Sequence, residues 1–452
     1  MKSKPHLLTT FAFLCLSGLS NVARAQTRLD NYLKEGLENN ESIWQQNFLL
    51  EKSMYALQES KSLFGPTVTF STSYVTAQGG RSLEFPAGDL LNQAYATLNQ
   101  LTRSNSFAPL KNQNIQLFPN NFYDAHFRTS LPLLDAELIY NRKIRGRQAD
   151  MQKTEVLLYK RELVKEIKTA YFRYSQAVNA VKIYETSLRL VEENRRINQA
   201  LFDNQQVNRT AVIRSENEVS KYQADCISAE KTRLTAKAYF NFLLNKNAAD
   251  TVIVDPIDQL PQGELLTDTS IDRREELTQL RISQGIGDDQ LGLARSYLIP
   301  KISTYIDLGA QDNAFRWTDN TKYYFFGVSL DWTLFASGKN TYREKQAFAE
   351  RQSISAQTNY AVAQLRTQLI NARNAFHSSI AQYKATQSQF RSSQAYYRDE
   401  LRLYKEGKAI YIELLDAQNQ LINAELENNN TLFETWIRFA DIERANAGFS
   451  LQ

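Results

Sequence analysis

Four segments of the chain alternate apolar and polar residues at the period of two that is typical of β-strands. They lie near residues 67–77, 121–134, 301–310 and 322–335. The apolar faces of the second and fourth segments carry Tyr123, Phe127, Leu131, Tyr324, Phe326, Leu330 and Trp332. Two structures fit this pattern. The strands either cross a membrane with these side chains facing lipid, or belong to a soluble sandwich with one buried face.

A long helix is predicted after each pair of strands. Residues 137–203 and 340–405 contain no proline, and such helices would be roughly 100 Å long. In the second helix an aromatic residue recurs every seven positions, at Phe376, Tyr383, Phe390, Tyr397 and Tyr404. Sustained heptads favour coiled-coil packing, so the stripe is predicted to be core rather than a ligand site. Shorter return helices are predicted at residues 211–245 and 413–447.

The order of helix, strand, strand and helix occurs twice. Four residues recur 234 positions later, because Leu57, Lys61, Ser62 and Pro66 match Leu291, Arg295, Ser296 and Pro300. The chain is therefore a duplication, with repeats at 26–245 and 272–452 joined by a linker at 246–271. The helix before each proline is predicted to stack end to end on the return helix of its repeat.

If the strands cross a membrane, the chain must oligomerise. Four strands cannot close a barrel, and an open sheet edge is not tolerated in lipid. Three copies would supply twelve strands, although two or four copies also fit the sequence. On the membrane reading, the predicted fold class is α + transmembrane β, built from a duplicated helix-strand-strand-helix repeat.

The first 25 residues have the features of a secretory signal peptide. Lys2 and Lys4 precede an apolar run, and Ala23-Arg24-Ala25 resembles a cleavage site. Removing this segment takes away three basic residues and no acid, so the formal charge falls from +4 to +1. The basic composition therefore does not indicate nucleic acid binding. No later stretch approaches the ~20 apolar residues of a membrane helix.

No catalytic, cofactor or metal site is predicted. His126 and His377 lie on different elements without a second ligand type at metal spacing. The glycines of residues 285–292 do not match the dinucleotide fingerprint, and no nucleophile motif is present. A secreted hydrolase would need such a constellation. A periplasmic coiled-coil adaptor or scaffold stays open as an alternative, although it should have one helical hairpin inserted in small β domains.

Short motifs at the ends of the predicted elements point to one known family. They are the pre-strand segments 61–66 and 294–300, the strand ends 131–134 and 332–335, and the turn 404–407 followed by 413–418. In order, spacing and duplication they resemble the TolC family of outer-membrane efflux channels over essentially the whole mature sequence. The resemblance implies a homotrimer, whose 12-stranded β-barrel in the outer membrane continues into a long periplasmic α-helical barrel.

The resemblance also implies a function and partners. Family members are passive exit ducts of tripartite efflux or type I secretion systems, opened when a periplasmic adaptor and an inner-membrane pump dock at the periplasmic tip. The turns expected to meet the adaptor are those of Asp203, Asn204, Gln205, Tyr404 and Gly407. Because the family uses one conduit for many cargoes, the transported substrate is not predicted.

Two acidic residues match the positions that ring the lumen of the family channel. Glu413 and Asp416 are spaced i, i+3 and share a helix face. Three copies would place six carboxylates in a constriction, which favours cations. The alternative is that Glu413 caps the helix start and Asp416 is a solvated surface charge.

The sequence departs from the family at the salt bridge that latches the closed channel. The two latch positions are Ala409 and Ala211 here, so the bridge cannot form. Lys408, Arg209 or Arg214 could supply a substitute. The sequence therefore predicts a latch formed by different residues, or a weaker latch.

The repeats also differ between their strands, where the first repeat is longer by 33 residues because the offset between the copies drops from 234 to 201. This extracellular loop, residues 78–121, is predicted to be a solvated surface with a short helix at 88–101. A cover over the barrel mouth is the alternative.

Overall fold

The computed structural model describes residues 27–117, 120–261, 270–313 and 315–451. The predicted signal peptide and part of the linker lie outside them. The chain forms two compact units. We call Tyr55–Gly146 with Asp288–Ala349 the sheet unit, and Met1–Met54 with Arg147–Gly287 and Glu350–Gln452 the helical unit. Among the described residues, no helix combines the length and apolarity that a membrane crossing requires.

The main sheet has four antiparallel strands in the order β1-β4-β5-β6. Their bounds are β1 (Thr67–Val75), β4 (Phe122–Leu134), β5 (Lys301–Asn313) and β6 (Lys322–Asp331). The four predicted strands therefore exist. β6 ends four residues earlier than predicted, because Asp331 pairs with Lys301, the first residue of β5. Trp332 consequently lies just beyond the strand.

The pairing register places the apolar residues of both repeats on one face of the sheet. Phe70 lies opposite Phe127, Phe127 opposite Leu308, and Leu308 opposite Tyr324. This face is solvent-exposed in the single chain, with 54% of Phe127 and 77% of Tyr324 accessible. Phe326, Leu330 and Trp332 are exposed too, and Leu131 is half-buried.

Tyr123 is the exception to the predicted exposed face, with only 1% of its surface accessible. The rings of Phe315 and Trp317, from the loop between β5 and β6, pack on it at centroid distances of 5.5 and 4.8 Å. Its hydroxyl donates to the carbonyl of Arg316 at 2.6 Å. The prediction that Tyr123 faces lipid is wrong for this chain, because a loop of the second repeat covers it.

The polar face of the sheet carries an ion pair across the seam between the repeats. Arg128 Nε and Nη2 on β4 each donate to a carboxylate oxygen of Asp307 on β5, both at 2.7 Å. The guanidinium lies 4.9 Å from the ring centroid of Tyr305, and a Cβ at Gly327 would lie 2.6 Å from that ring. Because no loop connects β4 directly to β5, this bidentate pair helps to fix their register.

The extra segment of the first repeat forms a small subdomain. It contains β2 (Ser82–Phe85), α3 (Ala87–Thr102) and β3 (Gln113–Gln116), and β2 pairs with β3. Asparagine amides hold α3 to the following loop, since Asn92 donates to the carbonyl of Leu110 and Asn99 to that of Phe107, both at 2.9 Å. The predicted helix is present, whereas the two short strands were not predicted.

The helices are α1 (Thr27–Asn39), α2 (Glu41–Ser62), α4 (Ala136–Asp203), α5 (Arg209–Leu243), α6 (Glu275–Ala294), α7 (Lys339–Lys405) and α8 (Tyr411–Ala445). In the helical unit, α2 begins where α5 ends. Asn40 joins the two, because its Nδ2 donates to the carbonyl of Leu243 at 3.0 Å and its Oδ1 accepts from the backbone N–H of Ser42. The predicted end-to-end arrangement is therefore present in the first repeat.

The heptad stripe of α7 is core, as predicted. Phe376, Tyr383, Tyr397 and Tyr404 are buried, and so are the smaller residues Ser379, Thr386 and Ser393 between them. Ser379 donates to the carbonyl of Phe376 within its own helix at 2.8 Å. Thr386 also meets Thr431 of α8 at 2.7 Å. Large rings and small hydroxyl residues therefore alternate along the seam.

Charged residues join α6 to the end of α8. Arg444 on α8 pairs with Glu276 at 2.9 Å and with Glu162 on α4 at 2.8 Å. Arg274, of which only 4% is accessible, pairs with the same Glu276 at 2.6 Å. Burial alone would raise the pKa of Glu276, but the hydrogen bond from Arg274 and the charge of Arg444 outweigh it and lower the pKa to about 2.

The first half of the linker lies along the helices. The backbone N–H of Asp255 donates to the hydroxyl of Tyr171 on α4 at 2.9 Å, and the indole N–H of Trp436 on α8 donates to the carbonyl of Gln259 at 2.9 Å. Val252 is buried in the same apolar cluster as Tyr171 and Phe433. These contacts tie the linker to both repeats within the helical unit.

Candidate functional site

The two turns that join long and return helices have the same backbone geometry. In the first, Gln206 N–H donates to Leu201 O at 2.8 Å and Gln205 N–H to Phe202 O at 2.9 Å. The second turn repeats both bonds, from Lys408 to Leu403 and from Gly407 to Tyr404. These are Schellman motifs, which require a left-handed residue after the helix. Gln205 has φ 59° and Gly407 has φ 71°.

Gln205→Gly is expected to stabilise the first turn by about 0.5–1 kcal/mol, because glycine adopts the left-handed conformation without a Cβ clash. Gly407→Gln makes the reverse change in the equivalent turn and is the matched control. It should destabilise by about 1 kcal/mol. Thermal unfolding of both variants tests the prediction, and a shift of the same sign in both would contradict it.

The return helices begin differently after these turns. Asn208 caps α5, since its Oδ1 accepts from Ala211 N–H at 3.2 Å. Ile410, at the same place before α8, has no acceptor side chain. Glu413 instead accepts the N–H of Ile410 at 3.0 Å. Its carboxylate therefore serves as a helix cap, as in the alternative reading of the sequence, and it remains solvent-exposed.

Asp416 lies one turn further along α8. It is exposed and accepts from Gln420 Nε2 at 2.7 Å. Partial burial, together with the charges of Glu400, Asp416 and Glu413, raises the pKa of Tyr396 on α7. Tyr396 and Glu400 thus belong to the same acidic surface, and the sequence did not single them out. The acidic surface is defined here as Tyr396, Glu400, Glu413 and Asp416.

A buried hydrogen-bonded network connects α4 to α7 and α8 near the turns. Asn194 Nδ2 donates to Gln418 Oε1 at 2.6 Å, and Tyr397 donates to Asn194 Oδ1 at 3.1 Å. Tyr404 donates to Asn198 Oδ1 in the same way. We call these five residues the tip network. Asn198 and Gln418 are fully buried, and their amide nitrogens have no hydrogen-bond partner among the described residues.

The tyrosines of this region remain hydrogen-bond donors over the whole physiological pH range. Burial raises the pKa of Tyr404 to about 12. Burial also raises the pKa of Tyr411, which packs against Tyr404 at a ring-centroid distance of 5.9 Å. Because both phenols stay protonated, the contacts that they make near the turns are between neutral groups.

The two positions that carry the family's latch are apolar here and belong to one cluster. Ala211 is buried together with Tyr404, Tyr411 and Leu414, and Ala409 packs against them. The bond from Tyr404 to Asn198 joins α7 to α4 near the same turns, and it carries no charge.

The three predicted substitutes for the latch form no ion pair between the α4/α5 hairpin and the α7/α8 hairpin within the described chain. Lys408 pairs with Glu406 of its own turn at 2.7 Å. Arg209 and Arg214 are exposed on the first turns of α5, and no carboxylate of the described residues lies within 4.0 Å of either. Lys408 is therefore paired within its own turn and does not bridge to α4 or α5.

Four of the five predicted docking residues are exposed at the turns, namely Asp203, Asn204, Gln205 and Gly407. Tyr404 is not, because only 3% of it is accessible and its ring faces the core. Its assignment as a docking residue is wrong in this chain, since its hydroxyl is committed to Asn198. In the described part of the chain, no group of three or more His, Cys, Asp or Glu side chains could hold a metal ion.

Part of the sequence and most of the fold are similar to those of known proteins. Residues 266–435 match the outer membrane efflux protein family. The structure is similar to that of the outer-membrane channel OprN, with a TM-score of 0.75 and 18% identity over 94% of this chain and 90% of that chain. No curated protein sequence matches.

Two further solved structures share the fold. The outer membrane protein VceC of Vibrio cholerae has a TM-score of 0.75 and 13% identity over 93% of this chain and 97% of its own. The open state of the MtrE outer membrane channel of Neisseria gonorrhoeae has a TM-score of 0.72 and 18% identity over 93% and 88%.

Proposed function

We propose that this chain, whose residues 266–435 match the outer membrane efflux protein family, is one subunit of a trimeric outer-membrane channel. Three copies would contribute twelve strands to one barrel, with the paired long helices extending into the periplasm. The channel would act as a passive exit duct of a tripartite efflux or type I secretion system. A periplasmic adaptor and an inner-membrane pump would dock at its helical tip.

One structural observation supports this proposal more strongly than any other. The register of the sheet puts the apolar residues of both repeats on a single exposed face, and the opposite face carries Arg128, Asp307 and other polar residues. An exposed apolar face of this extent is typical of a lipid or protein contact. β1 and β6 each pair on one side only in the described sheet, so a neighbouring copy could complete the barrel.

A periplasmic adaptor or scaffold is the second candidate. In such a protein one helical hairpin would interrupt small soluble β domains. Here two helix pairs alternate with two strand pairs, and the strands of both repeats share one sheet. The arrangement therefore favours the channel.

Fractionation separates these candidates. We expect the protein in the outer-membrane fraction, running as an oligomer before boiling and as a monomer of 51.9 kDa or somewhat less after it. Chemical cross-linking should stop at the trimer. A protein released with the soluble periplasmic fraction, and monomeric without boiling, would contradict the proposal.

The acidic surface would set ion selectivity at the tip. Glu413→Gln/Asp416→Asn is expected to lower the ratio of potassium to chloride permeability several-fold in planar bilayers, because two negative charges per subunit are lost from the constriction. Glu185→Gln/Glu192→Gln removes the same charge from exposed positions of α4 and is the matched control. If the two variants have equal permeability ratios, the acidic surface does not select ions and Glu413 acts only as a helix cap.

The exposed turn residues Asp203, Asn204, Gln205 and Gly407 would meet the adaptor. Both turns present the same backbone geometry, so three copies would offer six similar contact points at the tip. Lys408, Arg209 and Arg214 lie beside these turns, where they would contribute positive charge to the docking surface.

A further inference from the structure

Five basic residues lie on the helical turns that directly follow β4 and β6. Arg142 and Lys143 lie near the start of α4, and Lys339, Arg343 and Lys345 lie in the first two turns of α7. All five are exposed in the sheet unit. We call these five residues the basic collar.

The acidic residues of the same turns are already paired elsewhere. Glu137 pairs with Lys301 at 2.6 Å, and Glu344 pairs with Arg295 at 2.8 Å. Within the described residues, no carboxylate lies within 4.0 Å of any residue of the basic collar. The hydrogen bond from Lys301 lowers the pKa of Glu137, and the charge of Arg343 adds to this effect only at longer range. The region therefore keeps an excess of exposed positive charge without direct ion-pair partners in the described chain.

Helix stability does not account for these charges. The start of a helix carries a positive partial charge, so basic residues there are unfavourable. α7 nevertheless has no acidic residue in its first turn. Arg142 and Arg343 also occupy equivalent positions of the two repeats, 201 residues apart. In α7 the positive charge is thus placed against the local preference of the helix, whereas α4 keeps an acidic residue, Glu137, in its first turn.

Exposed apolar residues adjoin the basic collar on its strand side. Trp332, Leu334 and Phe335 lie between β6 and α7 and are strongly exposed, with 84% of Phe335 accessible. Leu133, at the end of β4, is exposed as well. The chain thus changes from apolar to basic within a few residues at the same end of both β4 and β6, as it would on passing from hydrocarbon to headgroups.

Aromatic rings lie beneath three of the basic groups close to this boundary. Arg142 lies 5.3 Å from the ring centroid of Phe64, Lys143 lies 5.1 Å from that of Tyr140, and Lys345 lies 5.9 Å from that of Tyr342. The ring of Tyr342 in turn lies over the turn at Gly338. These contacts restrict long side chains that would otherwise extend freely into solvent.

We infer that the basic collar binds the phosphate groups of anionic phospholipids in the leaflet next to the helices. The inference rests on the proposed membrane position of the sheet. The apolar residues would sit among the acyl chains while the collar meets the headgroups. Each basic group near an anionic surface adds to binding, and the contribution falls as salt screens it.

The test compares purified protein in phosphatidylcholine nanodiscs with and without phosphatidylglycerol. We expect the anionic lipid to raise the unfolding temperature of the wild type by about 2–4 °C at low salt. Arg142→Gln/Arg343→Gln/Lys345→Gln should lose most of this rise. Arg366→Gln/Lys384→Gln/Arg391→Gln removes the same charge from exposed positions further along α7, and it should keep the rise.

An equal rise in all three proteins, or none in the wild type, would overturn the inference while leaving the channel proposal intact. If the wild type fails to enter nanodiscs of either composition, the proposed membrane position itself is wrong. Insertion is therefore measured first, by co-migration of protein and lipid. Circular dichroism of each variant confirms that the helices have formed.

Discussion

Glu276→Gln is expected to destabilise the protein at neutral pH by about 2 kcal/mol and to reduce its loss of stability between pH 5 and pH 2 by a similar amount. The folded pKa of about 2 lies below the ordinary value of 4.5. The stabilisation is therefore complete above pH 4.5 and is lost as the pH falls towards 2. In the variant, Arg274 and Arg444 face an uncharged amide.

Thermal unfolding followed by circular dichroism at several pH values provides the measurement. Glu193→Gln is the matched control, because hydrogen bonding from Arg196 also lowers the pKa of Glu193, but the pair is exposed on α4. The control should keep the acid sensitivity of the wild type. A Glu276→Gln protein with an unchanged acid profile would show that the three charges do not couple α6 to α8.

Tyr404→Phe is expected to open the tip. The substitution removes the hydroxyl that donates to Asn198, so a buried amide loses its partner at a cost of about 1–2 kcal/mol. We expect a larger single-channel conductance in planar bilayers and a lower unfolding temperature. Tyr404→Phe/Asn198→Leu replaces both partners by apolar groups and should recover much of the loss, because neither member of the pair leaves a polar group behind without its partner.

Tyr383→Phe is the control for loss of a phenol from the same stripe. Tyr383 is buried on α7, and its hydroxyl meets only Gln387 of its own helix, at 3.4 Å, in the described structure. Its loss should leave the conductance unchanged. If Tyr383→Phe and Tyr404→Phe raise the conductance equally, the tip network does not hold the hairpins together.

Much of the fold could be predicted from the sequence because its information is local. Alternation assigned Phe127 and Tyr324 to one face, and the pairing register then joined these faces across the repeats. The burial of Tyr123 could not be predicted in this way. It depends on Phe315 and Trp317, which are nearly two hundred residues away and whose loop gives no periodic signal.

The tip was predicted less completely than the fold. The turns and the acidic pair follow from spacing, whereas Asn194 and Asn198 look like ordinary polar residues of a long helix. Their only sequence signal is an i, i+4 asparagine pair within a segment of similar polarity. Their importance becomes visible once burial shows that both amides lie inside the helix contact. The reverse holds for Lys408. Its position beside the turn suggested a role in the latch, but it pairs with Glu406 of its own turn.

The small hydroxyl residues along the helix seam have a mechanical consequence. Ser379 on α7, and Ser175 and Ser187 on α4, donate to carbonyls of their own helices. A hydroxyl satisfied in this way moves with its helix, so one helix can rotate against another at these positions with little loss of hydrogen bonding. Resistance to such rotation comes from the polar contacts that cross between helices. These include the tip network near the turns and the ion pairs of Arg444 at the other end of α8.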